Sequence, residues 1–340
     1  MQAAFCTQPR TFELREVDCP APRPGEAVIK VRSCGICGSD LHFFHGNFPP
    51  PAVCPGHEIC GEVMEVGEGA GPWRPGHRVA VEPLLVCRQC SYCRTGNYQI
   101  CTRFRVAGIT ADGGFAEYIR MPAHALFRLP TEVDFEVGAL TEPLAVAVHA
   151  VRLANVRLGD RVLVLGAGTI GLLSVASARA AGAAEVWITA RHAQQFAAAE
   201  ALGARVFEGP HADSELSSAT SRSPVDVVIE TVGGSADTIN DGLHYVRPGG
   251  AVVVLGVFTT MPAFNALAVV TKEVRLVGSM TYGRSGPRAD FDVALQLLAD
   301  RPECFRQLIT HRFPLAEINR GFETAADKRV GSIKVSIHPE

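Results

Sequence analysis

Four cysteines are crowded into a short stretch of this chain of 340 residues. They stand at Cys87, Cys90, Cys93 and Cys101, separated by two, two and seven residues. Four thiolates at such spacing can surround one tetrahedral Zn²⁺ and leave no coordination position open, which is typical of a structural zinc site. The spacing therefore predicts a structural zinc lobe at about residues 87–101.

Two other interpretations of this stretch stay open. The four cysteines could be unrelated reduced thiols, or the arginines and tyrosines between them could belong to a zinc knuckle that binds nucleic acid. The whole chain, however, carries 32 Lys and Arg against 35 Asp and Glu, a formal net charge of −3. A nucleic-acid binder would show a basic surplus. We therefore favour the structural zinc site and expect no nucleic-acid partner.

A second group of metal-ligating residue types is dispersed along the chain. Cys37 stands in Cys-Gly-Ile-Cys-Gly-Ser, His57 and Glu58 in Pro-Gly-His-Glu, and Glu142 in Thr-Glu-Pro-Leu. Sulfur, imidazole and carboxylate together suit zinc, and three protein ligands plus a water form the open arrangement of catalytic sites. Singly, each is weak evidence, because a lone histidine is usually a core or surface residue and Glu142 could be a carboxylate at a helix start. Cys34, which could compete with Cys37, is expected to be a buried small residue.

A glycine-rich turn follows the apolar run 161–165 and opens an alanine-rich stretch. Gly166, Gly168 and Gly171 form the pattern G-x-G-x-x-G, with Thr169 and Ile170 inside it. The first glycine permits the turn, the second lets backbone approach a pyrophosphate, and the third lets helix and strand pack closely. The N-terminus of the helix offers free N–H groups to the phosphates. The context predicts dinucleotide binding; the alternative is a glycine turn of any α/β protein.

The elements that must position these residues change in type along the chain. Residues 1–140 form short alternating stretches, such as 26–32, 62–67 and 77–81, which predict strands separated by long loops. From residue 161 onward, strand-like and helix-like stretches alternate, which implies a parallel, doubly wound sheet with right-handed crossovers. The predicted helices cover 135–153, 169–181, 192–202 and 290–299, and the predicted strands cover 161–165, 185–189, 225–229, 251–255, 274–278, about 310–313, and 331–337.

Residues 210–224 are rich in serine, alanine and aspartate, and we expect them to form an exposed connection. The closing stretch after residue 281 predicts a return to the first domain.

Composition places the chain among ordinary globular proteins. Hydrophobic residues make up 47% and charged residues 20%, and 340 residues suffice for two domains. We expect neither a signal peptide nor a membrane-spanning run. The 11 cysteines, an odd number, argue against a disulfide scaffold. A cytoplasmic protein without a membrane partner is the expectation.

Together these sequence motifs resemble those of the zinc-dependent medium-chain dehydrogenase/reductase superfamily, specifically its polyol (sorbitol) dehydrogenase-like branch. The resemblance covers essentially the whole chain. It implies an α/β fold in which a GroES-like β-barrel catalytic domain, residues 1–143, is completed by residues 281–340. A Rossmann domain over 144–280 binds the cofactor, and the cleft between the domains holds catalysis. The resemblance is carried by residues 35–40, 55–58, 76–79, the four-cysteine lobe, 142–144, 166–171 and 310–315.

The resemblance also implies roles for individual residues. Cys37, His57 and Glu58 would be ligands of a catalytic zinc, with Glu142 as a fourth ligand directly or through water. Ser39 and His42 would belong to the surroundings of a proton relay. The four-cysteine lobe would hold a second, structural zinc. The implied reaction is hydride transfer between a nicotinamide cofactor and a secondary alcohol or polyol, or the matching ketone.

The chain departs from the resemblance where the cofactor ribose would bind. Relatives that prefer NAD place an acidic residue at the end of the second Rossmann strand, but here that position is Ala190, followed by Arg191. A guanidinium can bind a 2′-phosphate bidentately, so we predict a preference for NADP(H), with help from His192 and Gln195. Alternatively, Arg191 is a solvated loop cation. Further cofactor contacts are expected at Thr231, Val232, Leu255 and Gly256.

The substrate side departs as well. Polyol dehydrogenases usually have an Arg-Tyr pair after the last Rossmann strand, whereas this chain has Thr281 and Tyr282. Because this arginine is missing, the sequence does not decide whether the substrate is a simple secondary alcohol, a diol or a modified sugar. Apolar residues could line the pocket instead, among them Phe43, Phe44, Phe48 and the segment 104–110 with Ile109; aromatics there could equally belong to the barrel core.

Two alternatives remain for the function. One is a threonine- or sugar-dehydrogenase-like member of the same superfamily. The other is a catalytically silent nucleotide-binding or zinc-ribbon interaction protein, against which the intact candidate ligands argue. Relatives form dimers or tetramers, so a homodimer or homotetramer is expected, with strand 274–278 and the cysteine lobe as candidate subunit contacts.

Overall fold

The computed structural model describes residues 1–209 and 212–339. The chain divides into two compact units, one formed by Met1–Glu142 with Gly283–Glu340 and the other by Pro143–Tyr282. No helix within the described ranges is both long and apolar enough to cross a lipid bilayer.

The first part of the chain is rich in short strands. The alternating stretches predicted as strands match β3, β4 and β5 to within one residue where they end at 67 and begin at 77, and these three strands pair antiparallel within one sheet. The elements are β1 (Gln2–Gln8), β2 (Thr11–Glu16), β3 (Glu26–Gly35), α1 (Gly38–His45), β4 (Glu58–Val66), β5 (Arg78–Val81), β6 (Leu84–Leu85), α2 (Ser91–Arg94), β7 (Arg105–Val106), β8 (Tyr118–Pro122), β9 (Leu126–Arg128) and α3 (Phe135–Gly138).

The second unit alternates strands and helices, as predicted. Its elements are α4 (Thr141–Ala154), β10 (Arg161–Leu165), α5 (Thr169–Ala180), β11 (Glu185–Ala190), α6 (Ala193–Ala201), β12 (Arg205–Glu208), α7 (Ala212–Arg222), β13 (Val225–Glu230), α8 (Thr238–Tyr245), β14 (Val246–Val254), α9 (Ala266–Thr271) and β15 (Arg275–Gly278). All pairs in its sheet are parallel, in the order β12-β11-β10-β13-β14-β15. The order reverses between β10 and β13, the switch point at which such sheets bind dinucleotides.

The exposed connection predicted for 210–224 is wrong over most of its length, because α7 occupies 212–222. Residues 210 and 211 lie outside the described part. Leu216 and Ala219, three positions apart, are both buried and belong to the core of the second unit. The helix was not predicted because its sequence is dominated by residues with hydroxyl side chains. The hydroxyls of Thr220 and Ser221 donate hydrogen bonds to the Ser217 carbonyl oxygen within the helix.

The helical pattern over 135–153 forms two helices, α3 and α4, instead of one. The final stretch contains β16 (Arg284–Ser285), β17 (Arg288–Ala289), α10 (Asp290–Asp300), α11 (Pro302–Arg306), β18 (Ile309–Pro314), α12 (Ile318–Ala326) and β19 (Lys334–His338). Strand β19 lies between β18 and β3, so the end of the chain joins the sheet of the first unit.

An aromatic cluster fills the core of the first unit. Phe12, Phe44, Phe115 and Phe322 are all nearly inaccessible to solvent, and the Phe12 and Phe322 ring centroids lie 4.3 Å apart. The suggestion that Phe44 lines a substrate pocket is therefore wrong: its ring faces away from solvent and packs against Phe322 at 5.3 Å. Residues of β3 and β4 belong to the same core, and Glu58, one of the candidate ligands, is the first residue of β4.

Candidate active site and metal centres

The four cysteines of the predicted zinc lobe come together in space. Their sulfur atoms all lie within 4.8 Å of one another, and the Cys87–Cys93 and Cys90–Cys101 sulfur pairs are each 3.9 Å apart. A disulfide would need a sulfur–sulfur distance of about 2.05 Å. Four sulfurs at about 2.3 Å from a tetrahedral zinc lie about 3.8 Å apart. The donor set and its spacing therefore fit one zinc ion.

Backbone N–H groups turn toward these sulfurs. The Cys90 amide donates to the Cys87 sulfur at 3.3 Å, and the Arg103 amide donates to the Cys101 sulfur at 3.3 Å. Donors from the Gln89 and Cys90 backbone lower the pKa of Cys87 to about 5. Because zinc binds thiolates, this loop already favours the ligating form of Cys87.

The dispersed candidate ligands also converge on one region of the first unit. Cys37 follows β3 and forms the N-cap of α1. His57 immediately precedes β4, and Glu58 opens it directly opposite Gly35 of β3. Glu142 lies in the first turn of α4. His57, Glu58 and Glu142 are buried, whereas Cys37 is partly exposed.

Asp40 is a member of this group that the sequence analysis did not identify. It is 1% exposed, and its Oδ2 accepts the Cys37 amide at 2.9 Å. Its Oδ1 lies 3.7 Å from His57 Nδ1, and within the described residues neither of these two atoms has a hydrogen-bond partner. A carboxylate behind one ring nitrogen orients the other nitrogen of a metal-binding histidine. Its position one turn into the helix that Cys37 caps is the signal that could have revealed it.

The charges of the group perturb one another. Burial alone would lower the pKa of His57, but Asp40 and Cys37 raise it well above its usual range. Burial raises the pKa of Glu142 to about 7. Burial likewise raises the pKa of Asp40. A buried set of thiol, imidazole and carboxylates with such mutual coupling is the chemistry that a divalent cation stabilises.

Glu58 differs from the other candidates because it already has a cationic partner. Lys334 of β19 places its Nζ 2.6 Å from Glu58 Oε1 and 2.7 Å from Oε2. Among the described residues, only the four cysteines bring three or more ligand atoms within 4.8 Å of one another. The second group thus has the right donors for zinc, but its atoms are not gathered as tightly as the four sulfurs.

The predicted relay residues lie beside this group. Ser39 Oγ is 3.4 Å from His57 Nε2. His42 Nδ1 pairs with the Asn47 amide at 3.2 Å, and burial lowers the pKa of His42. Within the described chain, Ser39 and His42 share no hydrogen bond, so a path between them needs a water or a ligand hydroxyl.

The glycine turn of the second unit has the shape that a dinucleotide needs. Gly166 has a φ of +97°, which favours glycine. A Cβ on Gly171 would lie 1.8 Å from the Gly166 carbonyl oxygen, so this position permits no side chain. A Cβ on Gly168 would meet nothing within 4 Å, which leaves open space at the N-terminus of α5. Thr169 and Ile170 form the first turn of that helix.

Glu230, at the end of β13, organises the loops beside this turn and was missed in the sequence. Its buried carboxylate accepts the amides of Val232, Gly233 and Gly256 and the hydroxyl of Thr238. The amide of Leu255 donates to the Glu230 carbonyl. An acidic residue that ends an apolar strand run was the available signal.

Thr231 lies next to Glu230 but faces the glycine turn. Its hydroxyl lies 2.8 Å from the Leu165 carbonyl and 3.1 Å from that of Gly166. Thr231 therefore stabilises the glycine turn through these two hydrogen bonds. Val232, the next residue, is 44% exposed.

Ala190 and Arg191 lie where β11 ends and α6 begins. Ala190 is buried, whereas Arg191 is exposed. Within the described residues, the Arg191 guanidinium has no hydrogen-bond or ion-pair partner. The Gln195 side-chain oxygen accepts the amides of Arg191 and His192, at 3.1 and 3.2 Å. Gln195 thus fixes this loop and leaves the Arg191 side chain available.

The predicted substrate residues occupy different environments. Phe43 and Ile109 are partly exposed, and Phe43 lies 6.4 Å from the ring of Phe48. Thr281 has a φ of +44°, which is unusual for a β-branched residue, and within the described part its hydroxyl has no hydrogen-bond partner. Tyr282 is fully buried.

Comparison with known proteins gives the family. Residues 23–131 match the alcohol dehydrogenase GroES-like domain, and residues 169–300 match the zinc-binding dehydrogenase domain. The chain is 34% identical to L-galactonate-5-dehydrogenase of Escherichia coli, covering 95% of this chain and 94% of the relative. It is 35% identical to bovine sorbitol dehydrogenase, covering 97% and 93%.

Solved structures agree with the sequence relatives. A Sinorhizobium meliloti protein described as a zinc-binding dehydrogenase, bound to NADP, has a TM-score of 0.88 and 33% identity over 99% of both chains. The 2R,3R-butanediol dehydrogenase of Bacillus subtilis has a TM-score of 0.86 and 30% identity over 100% of this chain and 99% of that one. The α/β architecture predicted from the sequence, with a GroES-like and a Rossmann domain, is confirmed. The chain is therefore a dehydrogenase of the zinc-dependent medium-chain dehydrogenase/reductase superfamily, in its polyol dehydrogenase-like branch.

Proposed function

We propose that this enzyme transfers a hydride between NADP(H) and a secondary alcohol of a polyol or sugar acid, or the matching ketone, at a zinc ion held by the first unit. The observation that carries the proposal is the convergence of the partly exposed Cys37 and the buried Glu142 on the buried His57, with Asp40 behind the histidine. The sugar-acid and polyol dehydrogenases among the relatives support the substrate class.

The residues divide the work by position. Cys37, His57 and Glu142 would hold the zinc, with Glu58 as a further carboxylate ligand. The bound ion would lower the pKa of the substrate hydroxyl, or polarise the carbonyl in the reverse direction. Asp40, whose Oδ1 lies 3.7 Å from His57 Nδ1, would orient the imidazole so that Nε2 turns toward the metal position. Ser39, 3.4 Å from that Nε2, offers a hydroxyl that can receive the substrate proton and pass it through water to His42.

The second unit would bind the cofactor. The glycine turn and the N-terminus of α5 would take the pyrophosphate, and Arg191 would bind the 2′-phosphate of NADP(H). The absence of a carboxylate at Ala190 supports this preference, as does the NADP bound to the S. meliloti relative.

Thr281 stands where polyol dehydrogenases usually have an arginine, and this difference affects which substrate the enzyme can bind. Without an arginine at this position, the enzyme would accept a substrate with fewer hydroxyl contacts than a simple hexitol makes. A threonine- or sugar-dehydrogenase-like specificity is the second candidate, supported by the L-galactonate-5-dehydrogenase relative. A panel of diols, hexitols, sugar acids, L-threonine and their ketones, run with both cofactors, separates the two.

Cys37→Ser tests the zinc assignment. We expect the parent to contain two zinc ions per chain and the variant to contain one, with alcohol oxidation lost and NADP(H) binding retained, because the cofactor would bind the other unit. Cys90→Ser is the matched control, since it should remove the other zinc. Elemental analysis and a cofactor fluorescence titration measure both. Two zinc ions in Cys37→Ser, or one in the parent, contradicts the proposed catalytic zinc site.

We also propose a homodimer or homotetramer in the cytoplasm. Six of the exposed large apolar side chains lie between residues 257 and 280 of the second unit, next to the edge strand β15, and this supports self-association. A zinc site of four thiolates needs reduced cysteines, which the cytoplasm maintains.

A further inference from the structure

The chain leaves the second unit at Tyr282 and re-enters the first unit at Gly283. Gly283 is buried, and Asp290, the fully buried first residue of α10, binds both of its backbone polar groups. The Asp290 carboxylate accepts the Gly283 amide at 2.8 Å, and the Asp290 amide donates to the Gly283 carbonyl at 2.9 Å. Two hydrogen bonds to one residue therefore fix the backbone at this crossing point.

The cysteine lobe contacts the same stretch of backbone. The Gly96 carbonyl accepts the Arg284 amide at 2.9 Å. The Tyr98 hydroxyl lies 3.4 Å from the Gly283 carbonyl oxygen. A Cβ on Gly96 would lie 2.8 Å from the Arg284 carbonyl oxygen, and a Cβ on Gly283 would lie 2.6 Å from Gln99 Oε1. The lobe therefore packs directly on the backbone at the crossing point, with no room for a side chain on either side.

Thr281, two residues before the crossing point, has a backbone conformation that needs support from its surroundings. Its φ of +44° is a left-handed value that a β-branched residue rarely adopts. Such strained conformations persist only where the surrounding structure fixes them. Before Thr281, the Ser279 amide donates to the Val254 carbonyl at 3.0 Å. After it, the chain is fixed at Gly283, so Asp290 and the cysteine lobe form the second of its two anchors.

We propose that Asp290 is a positioning residue, which together with the cysteine lobe fixes Gly283 and thereby holds Thr281 in its left-handed conformation for the substrate. The inference rests on the proposed function, in which the residue at Thr281 affects which substrate the enzyme can bind. It gives the cysteine lobe, which takes no part in the chemistry, control over substrate affinity. Asp290 and the lobe should therefore act on KM and not on the hydride transfer itself.

Asp290→Ala tests the proposal in the full-length holoenzyme. It removes the acceptor of the Gly283 amide, so KM for the diol or hexitol that the substrate panel identifies should rise about tenfold, as expected for the loss of a hydrogen bond to a charged group. The kcat should change less than about twofold, because the contact affects binding of ground state and transition state alike. Asp290→Asn keeps an oxygen acceptor and should restore most of the parent KM.

Asp292→Ala is the matched control. Asp292 lies in the same first turn of α10, and its carboxylate accepts the Ala289 amide at 3.2 Å. We expect this variant to lower the Tm, as Asp290→Ala does, and to leave KM unchanged. An equal rise of KM in both variants would mean that the start of the helix, and not the contact with Gly283, sets substrate affinity, and this would overturn the proposal.

Hydrogen exchange measures the same contact without any turnover. Residues 279–283 should take up deuterium faster in Asp290→Ala than in the parent or in Asp292→Ala. Tyr98→Phe keeps the ring and removes only the hydroxyl, so it tests the proposal even if Asp290→Ala does not fold. It should speed exchange at the same residues and raise KM about twofold to threefold, because a neutral hydrogen-bonding group is lost.

Loss of the zinc from the cysteine lobe should act on the same contact. Cys90→Ser should raise KM, and Asp290→Ala should add little to that rise, since the two changes remove one shared anchor. Unchanged KM in Asp290→Ala overturns the proposal, as does unchanged exchange at residues 279–283. Failure of the proposed function is distinguishable, because it would show as two zinc ions in Cys37→Ser, whereas the exchange experiment needs no active enzyme.

Discussion

The side chains of Ala190 and Arg191 place no negative charge where β11 ends. At the scale of single residues, this is the feature on which the proposed preference for NADP(H) rests. The Arg191→Ala variant should lose about 1.5–3 kcal/mol of NADP(H) affinity, the range for hydrogen bonds to charged groups, and its NAD(H) affinity should stay the same. Titration of cofactor fluorescence measures both. Unchanged NADP(H) affinity would refute the assignment, and Arg222→Ala, an exposed arginine of α7, is the matched control.

Ala190→Asp tests the same position from the opposite direction. A carboxylate there would repel the 2′-phosphate and accept the ribose hydroxyl of NAD(H). We expect the ratio of the two affinities to move toward NAD(H) by about tenfold or more, since one charged hydrogen bond is gained and one repulsion is added. A ratio that does not move would mean that the loop holds the ribose elsewhere.

Residue types and local spacing predicted the cysteine cluster and the glycine turn, because each lies within one short segment. Asp40 and Lys334 were not predicted from the sequence as parts of the candidate site, for different reasons. Asp40 acts through a helical turn whose start is not marked in the sequence. Lys334 is 276 residues from Glu58, and only the pairing of β19 with β3 brings the two together.

At the scale of elements, a short hydrogen bond helps to hold the cysteine lobe against the rest of the first unit. Tyr98, inside the lobe, donates to Glu82 Oε1 at 2.6 Å, and Glu82 follows β5 directly. Burial raises the pKa of Glu82 from 4.5 to about 7. The folded state therefore favours the protonated, neutral form of Glu82.

This shift makes stability depend on pH in a stated direction. A raised pKa in the folded state contributes stability that is present below the unfolded value and is lost as pH rises from 4.5 toward about 7. Glu82→Gln keeps the acceptor for Tyr98 but cannot ionise. The Tm of Glu82→Gln minus that of the parent should thus increase between about pH 5 and pH 8, corresponding to on the order of 3 kcal/mol at most. The exposed Glu65→Gln serves as control, and a flat difference would contradict the pairing.

Element types followed from periodicity wherever apolar residues dominate, as in β10, β11 and β13. Helix α7 was missed because hydroxyl groups outnumber its buried side chains, and Phe44 was misplaced because an aromatic residue near a ligand loop suits a pocket as well as a core. In both cases tertiary packing decides what local sequence leaves open.

At the scale of the whole molecule, the alternation of strands and helices predicted the parallel sheet of the second unit, and its strand order is known only from the structure. The return of β19 to β3 does not follow from any local rule. The closing strand pattern and the family resemblance predicted only that the tail returns to the first domain, and the pairing of β19 with β3 shows where it joins the sheet.

Self-association can be checked on the same scale. Light scattering should give a mass at least twice the 36.3 kDa of one chain. Leu267→Asp, within the apolar stretch 257–280, should lower that mass, because a charge there opposes burial of the patch. Leu158→Asp, at a site 90% exposed and distant in sequence, should leave it unchanged. A monomeric parent would rule out the oligomer.

The most direct test of the account is X-ray diffraction from crystals of the full chain with NADP(H), recorded on both sides of the zinc absorption edge. We expect two anomalous peaks per chain, one inside the four sulfurs of the cysteine lobe and one within bonding distance of Cys37 Sγ and His57 Nε2. A single peak, at the cysteine lobe alone, would contradict it.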